Sequence, residues 1–154
     1  MTTQGITFLK RKKVKFEVIK YDHLAKGAEF AAKAVSFPLD QTIKTLVVAL
    51  EDKRFVLVLM PGNRQLSYKK IAAVCGAKRA AMADATTAQR LTGYQIGGIS
   101  PFGTKKKLPT FMELRLQKYS DVMINAGQRG VMVKMCPKDI VNHLNAEWVD
   151  LVQD

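Results

Sequence analysis

Two apolar runs separated by four charged residues constrain this chain more than any other feature. Ile43 to Leu50 and Phe55 to Met60 flank Glu51-Asp52-Lys53-Arg54, and Pro61-Gly62 closes the second run. Each run is far shorter than a membrane span and has the length and branched content of a buried strand. The polar break between them reads as a hairpin loop. Around this hairpin the pattern predicts helices at Thr3 to Lys12, Ala28 to Val35, Tyr68 to Cys75, Asp84 to Leu91 and Pro137 to Leu144. Ser67 and Asp84 are capping residues, and Gly76 and Gly93 are stops. Further strands are expected at Lys13 to Tyr21, Arg79 to Met82, Phe111 to Arg115, Val122 to Asn125, Val131 to Met135 and Glu147 to Leu151. Many strands with interspersed helices, without strict alternation, predict a mixed α/β fold on a curved, barrel-like sheet rather than a doubly wound parallel one. The 154 residues suit a single domain, 1–154, with its own core.

Charge is the strongest global signal. The formal net charge is +12, from 25 Lys and Arg against 13 Asp and Glu. Such an excess speeds encounter with polyanions. The basic residues are spread over Lys10 to Lys13, Lys69-Lys70, Lys78-Arg79 and Lys105 to Lys107. That distribution suits a broad phosphate-facing surface better than a base-reading motif. Solubility alone is the plainer explanation of the same charge. No apolar segment follows the first residues as in a secretory signal, and two separated cysteines make no disulfide framework. A cytoplasmic protein with no membrane segment is expected.

The residues that could carry chemistry are few. No Gly-x-Ser-x-Gly elbow, P-loop or His-Glu-x-x-His motif occurs, and no metal or cofactor is expected. His23 and His143 read as surface or structural, Cys75 as a small core residue, and Cys136 lacks a neighbouring base. Lys44 is more informative. Strand alternation puts it on the face of Leu46 and Val48, where a cation is costly unless it reaches water or an anion. Two readings stay open: a strand-end lysine reaching solvent, or a lysine aimed into a pocket with a negative ligand. Gly97-Gly98-Ile99-Ser100-Pro101 is a glycine turn stiffened by proline. Glycines let backbone N–H groups converge on a ligand, and converging donors stabilise a carbonyl oxygen that gains charge in acyl transfer. Most such turns are only turns. Lys105, Lys106 and Lys107 are either a solvated run or a phosphate contact, and Arg129, in Gly127-Gln128-Arg129-Gly130, either meets phosphate or caps a turn.

Taken together, these segments resemble the YbaK/ProX family of aminoacyl-tRNA deacylases, free-standing relatives of the editing domain in bacterial prolyl-tRNA synthetases. The similarity runs over nearly the whole chain. It includes Tyr21-Asp22-His23, Ile43-Lys44-Thr45-Leu46-Val47-Val48, Thr92-Gly93-Tyr94 and, most specifically, Gly97 to Gly103 followed by Lys105 to Thr110. The resemblance implies hydrolysis of the ester joining a wrong amino acid to the tRNA 3′ end, with Cys-tRNA(Pro) the foremost substrate and prolyl-tRNA synthetase a partner. It implies that Gly97, Gly98, Ile99, Ser100 and Pro101 cradle the aminoacyl carbonyl and that Lys44 holds a terminal phosphate, ribose or developing charge. It further implies that Thr45 bonds substrate, that Tyr21 and Phe30 wall the side-chain pocket, and that Lys105, Lys106, Lys107 and Arg129 meet the acceptor stem. The pattern departs from the family at Met132, where relatives carry an acidic residue, and at Asn125-Ala126-Gly127, where they read Ser-Gly-Gly. Asn125, Gly127 and Met132 are therefore expected near the substrate and tied to which amino acid is accepted. A binding module that keeps the fold without turnover, and a general nucleic-acid-binding protein, are the competing readings.

Overall fold

The computed structural model describes residues 2–21 and 28–154; the side chains of residues 28–30 and 34 are outside that description. In chain order the elements are α1 (Gln4–Arg11), β1 (Glu17–Lys20), α2 (Ala28–Val35), β2 (Thr42–Leu50), β3 (Phe55–Pro61), α3 (Tyr68–Val74), β4 (Ala80–Met82) and α4 (Ala85–Thr92). They continue with β5 (Thr110–Glu113), β6 (Val122–Gln128), β7 (Val131–Met135), α5 (Pro137–Leu144) and β8 (Glu147–Val149). All the strands join one eight-stranded sheet in the order β1-β7-β6-β2-β3-β5-β8, with β4 paired to β2. Parallel pairs (β2–β6, β3–β5, β5–β8) and antiparallel pairs coexist, so the fold is mixed α/β, as expected.

The β2–β3 hairpin is the centre of the sheet. Asp52 receives Arg54 Nε at 2.9 Å within its turn, Lys53 takes a positive φ of 72°, and Leu50 N–H donates to Arg54 O at 2.8 Å. β3 lies between β2 and β5 and is buried on both faces, because helices cover each side of the sheet there. Val56, Val58 and Met60 pack with Ile71 of α3 and with Phe111 and Leu151. On the other face Leu57 meets Ala88 and Leu91 of α4, and Leu59 meets Ile6 and Leu9 of α1 and Phe102. Each such side chain contributes about 1.5–3 kcal/mol by leaving water. This two-sided burial produces the continuous apolar run in the sequence.

Several expected strands are shorter than their patterns: β8 ends at Val149 rather than Leu151, β4 starts at Ala80 rather than Arg79, and β1 and β5 are cut short by local bonds. The run from Lys13 first turns back under α1: Lys13 has a φ of 58°, and Val14 N–H donates to Leu9 O at 3.1 Å. β1 therefore starts only at Glu17, and as an edge strand it leaves Val18 39% exposed. β5 stops at Glu113 because the carboxylate of that residue accepts the N–H of Arg115 at 2.6 Å and turns the chain into a 3-10 segment, Leu114–Lys118.

Glu113 is fully buried, and its second oxygen accepts from Arg115 Nη1 at 2.7 Å and from Leu151 N–H at 2.9 Å. This one carboxylate joins β5, the 3-10 segment and the C-terminal strand region. Glu113→Ala leaves the Leu151 and Arg115 amides without their acceptor and the Arg115 guanidinium with Asp150 as its remaining carboxylate. It is expected to cost about 2–4 kcal/mol in a urea titration, with the slope of the transition unchanged.

Candidate active site

β3 covers one edge of β2 along its length, whereas the other edge is shared. β6 pairs there only with Thr42 and Ile43, and β4 only with Val48 to Leu50. Between them that edge has no strand partner, and Ala83 N–H closes part of it by donating to Val47 O at 3.0 Å. Hydrogen-bonded pairs alternate along an antiparallel ladder. The bonds Gly62 N–H to Thr42 O and Leu50 N–H to Arg54 O assign the even-numbered residues to β3. Thr45 therefore turns its own N–H and C=O toward the open edge.

A cavity of about 460 Å³ occupies this gap. Its walls include Lys44, Thr45 and Val47 of β2, Met82 of β4, Ala88 of α4, Gly97 and Ile99 of the glycine loop, and Asn125 and Met132 of the β6–β7 pair. Both Lys44 and Thr45 reach it, although they point to opposite faces of the strand, because the cavity opens along an edge. Lys44 is half-buried, and burial lowers its ammonium pKa from the ordinary lysine value. Among the described residues no carboxylate pairs with it; the ion pairs there involve Arg54, Lys70 and Arg115. Thr45 Oγ1 is buried with no protein partner among the described residues.

The glycine loop is held from behind. Tyr94, buried, donates its hydroxyl to Phe102 O and so closes the loop at its base; burial pushes its pKa up to about 12. Asn125 Nδ2 donates to Gly97 O at 3.2 Å, and Asn125 Oδ1 accepts from Gly127 N–H at 2.7 Å. Arg129 Nη2 donates to Ile96 O at 3.3 Å. The β6–β7 ladder bulges between Asn125 and Gln128, and Gly127, at φ 111°, lies against the Tyr94 ring. A Cβ there would stand 2.5 Å from Tyr94 Cε1, and one on Gly98 would stand 2.9 Å from Arg129 N, so both glycines permit a close approach.

These contacts sort the sequence-based candidates. Tyr21, Lys44, Thr45, Gly97, Ile99, Asn125 and Met132 come together around the cavity. Gly98 does not line it; its N–H donates to Gln95 O at 2.9 Å within the loop. Ser100 is buried with Oγ accepting from Phe102 N–H at 3.1 Å, and Pro101 lines a different groove. Among the described residues the amides of Gly97 and Ile99 have no acceptor. The Tyr21 hydroxyl is raised in pKa by burial, opposed by the Gly130 backbone and the Arg129 charge. Lys105, Lys106 and Lys107 are exposed. Phe30 stands on α2, but its side chain lies outside the described residues, as does all of His23. The apolar walls from Met82, Ala83, Ala85, Ala88 and Ile96 had no sequence signal pointing to a site; only the placement of β4 and α4 beside the free edge brings them there. No group of three or more His, Cys, Asp or Glu with metal-binding geometry occurs among the described residues.

The sequence model for the aminoacyl-tRNA editing domain matches residues 23–142. The chain belongs to this family. A candidate Cys-tRNA(Pro)/Cys-tRNA(Cys) deacylase of Enterococcus faecalis, EbsC, is 30% identical over 97% of this chain and 92% of its own. The proline–tRNA ligase of a Sulfurihydrogenibium species is 30% identical over 68% of this chain, which corresponds to only 18% of the ligase. The crystal structure of a candidate trans-editing enzyme for prolyl-tRNA synthetase superposes with a TM-score of 0.90 and 24% identity, covering 100% of this chain and 99% of that one. In this editing domain the cavity at the split edge of β2 is thus set in a fold shared across its length with that structure.

An unpaired, half-buried lysine costs stability. Lys44→Met is expected to raise Tm by about 2–4 °C, equivalent to about 1 kcal/mol for a chain of this size. The sign follows from linkage. A lysine whose folded pKa is depressed binds fewer protons folded than unfolded, so wild-type stability rises with pH through that window. The gain of the variant is therefore largest below the folded pKa of Lys44 and shrinks as pH approaches the ordinary value of 10.5. Melts across that pH range measure it.

Proposed function

We propose that this chain is a free-standing editing hydrolase that cleaves the ester of mischarged tRNA, with Cys-tRNA(Pro) its foremost substrate. One observation carries the reading. A cation and a buried hydroxyl from β2 line one cavity with Gly97 and Ile99 of the glycine loop, whose amides have no acceptor among the described residues. An aminoacyl ester is already activated, so the protein needs no strong nucleophile of its own. Its work is positioning the ester and stabilising the oxygen that gains charge when the carbonyl is attacked.

In this mechanism the ester carbonyl lies against the amides of Gly97 and Ile99. Tyr94 and Asn125 hold those amides in place from the far side of the loop. The Lys44 ammonium meets the terminal phosphate or ribose, or the developing oxyanion, at short range in a partly dry site where charge interactions are strengthened. Thr45 Oγ1 accepts or donates one hydrogen bond to substrate. Water, the adjacent ribose hydroxyl or the cysteine thiol of the substrate attacks. The small apolar walls around Ala83, Ala85 and Ala88 suit a short side chain, and Met132 supplies a thioether where relatives carry a carboxylate. Exposed Lys105, Lys106 and Lys107 meet the acceptor stem, while Arg129 both supports Ile96 and adds charge beside it. Partnership with prolyl-tRNA synthetase follows from the named substrate.

One feature favours a second reading, a tRNA-binding module without turnover. The amide of Asn125 is already engaged on both its polar atoms, by Gly97 O and Gly127 N–H. Deacylation assays on Cys-tRNA(Pro), Ala-tRNA(Pro) and a wider panel of mischarged tRNAs separate the two. Release from at least one substrate is expected, with a loss of about 10²–10³-fold in rate on Lys44→Ala. Tight, salt-sensitive tRNA binding with every ester left intact would establish the second reading instead.

A further inference from the structure

A second groove, of about 270 Å³, lies between the C-terminal ends of α1 and α5. Its lining includes Phe8, Lys12, Pro101, Lys107, His143 and Leu144, and it shares no lining residue with the cavity on β2. The two are nevertheless joined by one loop: Gly97 and Ile99 face the cavity, and Pro101 and Gly103 face the groove. Gly103, at φ 63°, packs against α1, where a Cβ would meet Gln4 O at 3.2 Å. The loop is thus seated on the helix that supplies Lys12.

The formal charges of the groove, on Lys12 and Lys107, are both positive. No acidic residue is among its lining residues, and Lys12 and Lys107 are both exposed. Lys12 Nζ stands 5.7 Å from the centroid of the Phe8 ring, which holds the ammonium at the groove wall rather than free in solvent. The Phe8 ring is itself backed by Phe102, with centroids 6.0 Å apart. The lysine pair continues outward into Lys10, Arg11 and Lys13 on one side and Lys105 and Lys106 on the other, all exposed. None of these cations is in an ion pair among the described residues. Two cationic rails flanking an apolar floor match one strand of a nucleic-acid backbone, with phosphates on the rails and ribose faces on Phe8 and Leu144.

We propose that this groove is a second RNA-backbone site, centred on Lys12 and Lys107, which anchors the substrate RNA away from the ester. The inference rests on the editing reading for the identity of its RNA. Its test does not rest on turnover. Binding of uncharged tRNA is measured by fluorescence anisotropy over a salt series. For K12Q/K107Q we expect the Kd to rise about tenfold at 0.1 M salt. The slope of log K against log salt should fall by about 2, because each lost phosphate contact removes roughly 0.9. The control K53Q/K138Q, two exposed lysines outside the groove, should stay within about twofold of wild type. Wild-type affinity and slope in K12Q/K107Q overturn the proposal, as does an equal loss in the control, which would assign binding to the whole basic surface. Loss of binding to phosphatidylserine vesicles with tRNA binding intact would assign the groove to a membrane and also overturn it. A protein that deacylates but binds tRNA independently of the groove refutes only this inference. One that needs the groove for binding but never deacylates refutes only the editing reading.

Discussion

The split edge of β2 is the constraint on which the rest depends. A strand in the middle of a sheet ordinarily has both edges satisfied, and its side chains reach only the two faces. Here β6 leaves β2 after Ile43 and β4 arrives at Val48. The interval opens a space in the plane of the sheet toward which the Thr45 backbone turns and which the side chains of Lys44 and Thr45, on opposite faces, both reach. That is how a lysine and a threonine at consecutive positions serve one cavity. It is also why the helices matter: α2 and α4 wall the gap, while α1 and α3 fill the conventional core on other faces.

The glycine loop shows the complementary arrangement, a flexible sequence made rigid by what lies behind it. Its glycines do not all serve the same purpose. Gly97 gives its carbonyl to Asn125 and lines the cavity, whereas Gly98 is small because the β6–β7 turn presses on it. Tyr94 is the pivot: its hydroxyl closes the loop and its ring accepts the Cα of Gly127. Asn125 and Arg129, both offered by the sequence as ligand contacts, bond to loop carbonyls. They shape the site at least as directly as they could touch anything in it.

Much of this was legible in the sequence. The β2–β3 hairpin, the caps at Ser67 and Asp84 and the stop at Gly93 follow from local chemistry, and the structure has them all. Lys44 was ambiguous for a physical reason: alternation assigns a face, but here the edge decides, and edges depend on which distant strand pairs where. The early end of β5 was hidden because it is set by a side-chain bond from Glu113, not by the pattern. The bulge after Asn125 and the alanine wall of α4 likewise depend on long-range register. Fold class and the two polar halves of the site are written locally; the apolar enclosure that brings them together is not.

Thr45 Oγ1 has a consequence of its own. A hydroxyl buried against a cavity and unmatched among the described residues would act as a chemical filter rather than a steric one. The hydroxyl is already unpaired without a ligand, and a ligand of the right size but without a matching polar atom leaves that cost of about 1–3 kcal/mol in place. A ligand that carries the atom relieves it. Small apolar walls can discriminate poorly between molecules that differ by a methylene, but a single sealed hydrogen-bonding group rejects isosteres that lack its counterpart. In the proposed editing function Thr45 would therefore sort ligands by functional group, in a cavity whose remaining walls are mainly apolar.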